Sequence, residues 1–164
     1  MKVLVIQQKM IGDVLASTVI CETIKQKHPD WTVHYMINSN TKPVVENNPF
    51  IDKIVTFDPP KKNKFRSFLS FGYELKKEKY DVVIDAYTKW ESIIPGFLSG
   101  AKIRISNRKW YTRLFYTKTI IPKKNIEGSA IAHRLQLAET LLNSYTEVNF
   151  PKIYLSEEEI LVDK

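Results

Sequence analysis

"KVLVIQQKMIGDVLASTVICETIKQKHPDWTVHYMI", residues 2–37, decides the fold class of this chain. "KVLVI" (2–6) is a short continuous apolar run, the pattern of a strand covered on both faces. The stretch after it turns to helical spacing, with Val14, Cys21 and Ile24 on one side and Glu22, Lys25 and Gln26 on the other. Pro29 ends that helix because it cannot continue the hydrogen-bond ladder. "TVHYMI" (32–37) then reads as a second strand. Strand, helix and strand in succession imply a parallel pair joined by a right-handed crossover.

The same alternation runs along the chain. "TKPVVENN" (41–48) predicts a short helix with Pro43 in its first turn, and "DKIVTFD" (52–58) a third strand closed by Pro59 and Pro60. A basic amphipathic stretch, 63–79, leads to "YDVVIDA" (80–86), the most strand-like run of all. A helix over 89–99 follows, then "AKIRIS" as a fifth strand, "TKTII" as a sixth, and an amphipathic helix over 129–145. The expected fold is therefore α/β, a Rossmann-like parallel sheet with flanking helices. Residues 1–150 form the expected domain. The tail 151–164 leaves the last helix through Pro151 and ends in an acidic run that starts a new helix, as an interdomain linker would.

At 164 residues and 43% hydrophobic the chain can bury a proper core. A lone cysteine, Cys21, rules out an internal disulfide and fits a reducing compartment; at an apolar helix position it reads as a structural thiol. The opening apolar run is too short for a signal peptide, and no run reaches the roughly 18 apolar residues of a spanning helix. These features imply a cytoplasmic chain.

The net charge of +7 is unevenly spread: residues 61–124 hold 16 Lys/Arg against 5 Asp/Glu, and 101–124 hold eight basic residues and no acidic one. Such a field concentrates anions: nucleic acid, an anionic membrane surface, or a phosphorylated or carboxylated substrate. Arginines interleaved with Trp110, Tyr111, Phe115 and Tyr116 favour a binding surface over a merely solvated face.

In open parallel sheets ligands gather beyond the carboxyl ends of the strands, where residues 7–13 fall. Neither G-x-G-x-x-G nor a P-loop is present there; Gly12 stands alone, so the first turn does not read as a nucleotide site. Asp13 admits two roles. It can cap the helix N-terminus, a contribution of about 1 kcal/mol, although Ala16 excludes a capping box. It can also stand as a general base toward a bound hydroxyl. The two roles are compatible.

The Gly12-Asp13-Val14-Leu15 helix start, the "VVENNPFIDKI" segment, the Tyr80–Asp85 strand, "GAKIRIS" and "HRLQLAETLL" together resemble the ADP-heptose:lipopolysaccharide heptosyltransferases, glycosyltransferase family nine. The likeness covers essentially the whole chain. It implies the N-terminal half of a GT-B enzyme, with two Rossmann-like domains facing across a cleft. In that family the N-terminal domain receives the acceptor and the C-terminal domain the nucleotide-sugar. The resemblance makes Asp13 the candidate base of an inverting transfer and requires no cofactor or metal in this half. It places the ADP-heptose donor on a C-terminal domain absent from these 164 residues, so this chain alone is expected to be inactive.

The implied acceptor is an anionic glycolipid, the lipopolysaccharide core, whose carboxylates and phosphates suit Lys61, Lys62, Lys64, Arg104, Arg108, Lys109 and Arg113. Lys9 and Gly12 join this set from the first loop, and Asp85 from the end of its strand, where a loop-capping role is the alternative. The same basic face suits peripheral contact with the anionic inner-membrane surface. Departures from the family fall around the acceptor cleft: Tyr87-Thr88 replaces a Gln-Gly pair, Glu91-Ser92 a Lys-Ser, and Ser106 a glycine. They leave open an acceptor other than the standard Kdo-terminated core, and, with the donor half absent from these residues, another nucleotide-sugar and another surface glycan stay open as well. The rival class is a non-catalytic basic module for nucleic acid, which lacks a recognisable motif here. His28, His34 and His133 have no metal-ligand spacing; His133 is weighed as a packing residue or a cleft residue.

Overall fold

The computed structural model describes residues 1–122 and 129–162. Lys123 and Lys124 of the basic run, and the last two residues of the expected linker, lie outside them. The chain runs β1 (Lys2–Ile6), α1 (Ile11–Lys27), β2 (Thr32–Ile37), a 3₁₀ turn (Ser39–Val44), β3 (Lys53–Thr56), α2 (Lys64–Lys77) and β4 (Val82–Asp85). It continues as α3 (Trp90–Leu98), β5 (Ile103–Asn107), a second 3₁₀ turn (Thr112–Leu114), β6 (Lys118–Ile120), α4 (Ser129–Leu142) and α5 (Glu157–Val162). The segment expected as a helix over 41–48 is instead the 3₁₀ turn, with Pro43 inside it. Proline lacks the N–H that a longer α-helix would need at that point.

Six described strands form one all-parallel sheet in the order β3-β2-β1-β4-β5-β6. The order reverses between β1 and β4, which opens a crevice at their carboxyl ends. Alternate residues of each strand feed two cores, because successive side chains point to opposite faces. Val3, Val5, Val33, Tyr35, Val82 and Ile84 pack under α1 and α4. Leu4, Ile6, Met36 and Val83 pack under α2 and α3.

Helix α1 departs from its sequence pattern. Nine of its residues, including Glu22, are buried: α4 packs on the Asp13 and Ser17 side, and on the charged side the chain after α4 returns, with Asn149 Nδ2 donating to Gln26 Oε1 at 3.2 Å. Glu22 is accommodated by a hydrogen bond from Gln26 Nε2 at 3.1 Å. Cys21 is fully buried, and burial pushes its thiol pKa up, as befits a structural residue. On the other face Gly72 lets α2 approach α3: a Cβ there would lie 2.6 Å from Leu98 Cβ and 3.2 Å from Pro95 Cα.

Candidate functional site

The loops that follow β1, β2 and β4 surround the crevice, and it has two lobes. The first, about 700 Å³, lies between the start of α1 and the turn after β2, lined by Lys9, Gly12, Asp13, Asn38, Asn40 and Thr41 among others. The second, about 570 Å³, lies between the loops after β4 and β5 and the start of α2, with Lys64, Tyr87, Lys89, Trp90 and Trp110 in its walls. Lys9 lines both lobes, and its Nζ stands 3.5 Å from Glu91 Oε1, tying the loop after β1 to the start of α3 across the switch point.

Asp13 does not cap α1. The N-cap is Met10, held at φ 62° with no side-chain cap, and Asp13 is the third helical residue. Its carboxylate therefore sits in the first turn, where the helix dipole favours negative charge. It is half exposed, at 49% of the side chain, while its partner Arg134 is only 14% exposed. Arg134 Nη2 donates to Asp13 Oδ1 at 2.8 Å. Arg134 is itself anchored: Nε donates to Ser17 Oγ at 2.7 Å and Nη1 to the Ala130 carbonyl at 2.8 Å. Ser17 in turn donates to Gln7 Oε1 at 3.4 Å, which links the network back to the end of β1. One carboxylate oxygen of Asp13 is thus held in place, and Oδ2 accepts no hydrogen bond among the described residues.

Gly12 lines the first lobe, and an added Cβ there would meet nothing within 4 Å. A ligand therefore has open access to the backbone at the start of α1. Two neighbouring loops are also pinned: Asn38 Nδ2 donates to the Phe57 carbonyl and to Asp58 Oδ1, each at 3.2 Å. Asp58, which also accepts the Ser39 N–H, has its pKa lowered by these bonds despite an opposing desolvation effect.

Asp85 is corrected as an acceptor contact. It is fully buried, and its Oδ1 accepts the backbone N–H groups of Tyr87 and Thr88, each at 2.9 Å, while Oδ2 accepts the Tyr116 hydroxyl. Burial raises its pKa, and these hydrogen bonds oppose the rise. Asp85 shapes the loop that carries Tyr87, Thr88 and Lys89, including the left-handed Thr88 at φ 52°. Arg104 is partly buried and also holds a loop. Its guanidinium donates to the Phe115 and Ala101 carbonyls at 2.8 and 2.6 Å and lies 5.2 Å over the Phe97 ring, so it braces the loop after β5.

The other basic candidates divide by position. Lys64 lines the second lobe; Lys61 and Lys62 are exposed just before it, in the loop that enters α2. Arg108 joins β5 to β6 through Nε to Thr119 Oγ1 at 3.2 Å, Lys109 lies 5.8 Å over the Tyr111 ring, and Arg113 is exposed on the second 3₁₀ turn. These three stand outside the lobe linings. Of the histidines, His28 stacks on Trp31 with ring centroids 3.9 Å apart, and His34 is buried with Nδ1 2.8 Å from the Tyr80 hydroxyl. Burial lowers the His34 pKa, with the Lys2 charge adding to the shift. Sequence reading does not single out Arg134, Asn40 or Lys89. Arg134 is 121 positions from Asp13 and next to the more conspicuous His133, so only the docking of α4 on α1 reveals it.

No protein-family model matches the chain. In sequence it is similar to lipopolysaccharide heptosyltransferase 1 of Campylobacter coli, 26% identical over 151 residues, covering 88% of this chain and 43% of that protein. In structure it matches a glycosyl transferase family 9 protein of Veillonella parvula with TM-score 0.81 and 22% identity, over 96% of this chain and 46% of that one. The Escherichia coli ADP-heptose lipopolysaccharide heptosyltransferase II gives TM-score 0.75 and 17% identity, over 96% and 48%. The chain thus spans less than half the length of each of these proteins, and its fold is that of one half of a GT-B heptosyltransferase.

Proposed function

We propose that this chain is the acceptor-binding half of an inverting glycosyltransferase that moves heptose from ADP-heptose to the lipopolysaccharide core, with Asp13 as the general base. The observation that carries the reading is Asp13 itself: a carboxylate in an open cleft at the carboxyl edge of the sheet, one oxygen fixed by Arg134 and the other without a partner among the described residues. Oδ2 is the oxygen that would accept the acceptor hydroxyl proton as that hydroxyl attacks the anomeric carbon. Arg134 sets the carboxylate's orientation, which matters because a base must meet its proton within hydrogen-bond reach. The relatives' names supply the reaction, and they are longer proteins; the nucleotide-sugar would be held by a donor half facing this cleft.

Lys9 and Lys64 line the two lobes, with Lys61 and Lys62 beside them, and they suit the carboxylates and phosphates of such an acceptor. The same basic side would keep the protein at an anionic inner-membrane surface; no described helix is long and apolar enough to cross a membrane. Two residues of the second lobe would tune how that core is held. Tyr87 and Glu91 stand in the second lobe at two positions where the resemblance departs from the family.

The test has two arms. Calorimetric titration of this chain with a Kdo-terminated core fragment is expected to show binding, and ADP-heptose none. In a polypeptide that includes the donor half, Asp13→Asn is expected to lower kcat by ~10²–10⁴ while acceptor binding persists. Absence of acceptor binding, or full turnover by Asp13→Asn, would overturn the proposal.

A further inference from the structure

Beside the cleft, between α2 and α3, lies an apolar groove of about 570 Å³. Phe65, Phe68 and Leu69 of α2 line it at helical spacing, Trp90 and Phe97 do so from α3, and Phe115 forms a third wall. Phe115 meets Trp90 and Phe97 edge-on, with ring centroids 5.9 and 5.6 Å apart. Gly72 closes α2 onto Pro95 and Leu98, whereas Phe65, farther toward the α2 N-terminus, stays open to solvent. Phe65 is 62% exposed, Trp90 51% and Phe97 43%. A contiguous patch of large exposed aromatics marks an interaction site.

The chemistry around the groove selects its occupant. Its walls offer almost no polar group to a sugar or a nucleotide. Lys64 lines it, Lys61, Lys62 and Arg66 are exposed in the same stretch of chain, and no acidic residue occurs from 59 to 73. The groove therefore fits an apolar tail carried by an anionic head. Lys64, Phe68 and Trp90 line both the groove and the second lobe of the cleft, so a tail in one places its head at the other.

We propose that this groove holds a fatty-acyl chain of the acceptor glycolipid, whose sugar then lies in the cleft beside Asp13. The volume lies within the ~300–1,000 Å³ range of small-molecule pockets. The identity of the tail's owner rests on the acceptor reading above; the groove's taste for an anionic amphiphile does not. Anchoring the tail would confine the attacking hydroxyl near the base, converting part of the lipid's binding into orientation.

The experiment titrates this chain with monomeric dodecyl phosphate below its micelle concentration, with butyl phosphate, and with acylated and deacylated core fragments. Dodecyl phosphate is expected to bind once per chain and at least about tenfold more tightly than butyl phosphate, because the extra methylenes leave water. The acylated fragment should exceed the deacylated one by a similar factor. The exposed double variant Phe65→Ser, Phe97→Ser should erase both differences with its melting transition retained. Equal affinity for the two phosphates, or indifference to the double variant, would overturn the groove. So would binding to phosphatidylglycerol vesicles without binding of the monomer, which marks a membrane-surface patch. Dodecyl phosphate bound with neither core fragment bound would overturn the acceptor assignment; the deacylated fragment bound with dodecyl phosphate unbound would overturn the groove alone.

Discussion

Asp13 and Asp85 both stand at the carboxyl edge of the sheet, one opening the helix after β1 and the other ending β4. They have opposite fates. Asp13 is half exposed, paired with a single arginine from α4, and faces an open cavity. Asp85 has no exposure and spends its oxygens on two backbone N–H groups and a tyrosine hydroxyl. Position at the ligand edge therefore does not by itself leave a carboxylate free to meet a ligand. What separates them is whether neighbouring backbone and side chains have already taken the lone pairs that a substrate would need.

That contrast breaks most directly on stability. Asp85→Ala strands three donors, those of Thr88 and Tyr116 buried, and we expect it to lower the unfolding free energy by about 3 kcal/mol in urea denaturation. Asp13→Ala removes a half-exposed ion pair and should cost less than about 1 kcal/mol. Comparable losses would mean that Asp13, like Asp85, is a structural carboxylate, and the proposed base would lose its support.

A second measurement sharpens the difference between the two faces of the sheet. Gly72→Ala would force a methyl against the Leu98 side chain and the Pro95 backbone, so the α2–α3 pair should lose about 1–3 kcal/mol in the same denaturation assay. Gly12→Ala, whose added methyl points into open space, should melt unchanged. If the two glycines behaved alike, the close approach of α2 and α3 would not be what Gly72 provides.

The smallest effect comes from a third carboxylate, at the opposite end of the sheet. Hydrogen bonds from Lys2 at 2.7 Å and Lys53 at 2.9 Å hold the Glu78 pKa at about 2, below its ordinary 4.5. A carboxylate lowered on folding adds stability above its unfolded pKa and loses it as pH falls through the folded value. The Glu78 contribution is thus present above about 4.5 and fades toward about 2. Glu78→Gln should flatten that part of the acid limb, read by urea midpoints across pH; an unchanged limb would show that the pair is no stronger folded than unfolded.

The strands and helices were legible because burial writes a period into sequence. Val3–Ile6 and Val82–Ile84 are continuous apolar runs, as strands covered on both faces must be, and β2 falls on the six residues that the pattern marks. The acidic run near the end does become a short helix, α5. Where the pattern misled, the causes were distant packing and proline. Glu22 reads as a surface residue but is buried once the rest of the chain has packed on α1, and the Pro43 segment reads as a helix although it holds only a 3₁₀ turn.

The candidate site was legible only in part. The sequence by itself determined the doubly wound sheet, the crevice at its carboxyl edge and the presence of a carboxylate at the first turn, because these follow from local periodicity and from the handedness of crossovers. Only the tertiary structure decided that Asp13 is a first-turn residue paired with Arg134, that Asp85 and Arg104 are internal braces, and that α2 and α3 leave a groove between them. Each of those outcomes depends on which way a side chain points once helices from distant parts of the chain have docked. Local sequence carries the tendency to form each helix, but the contacts between helices come from packing, where residues 121 positions apart become neighbours.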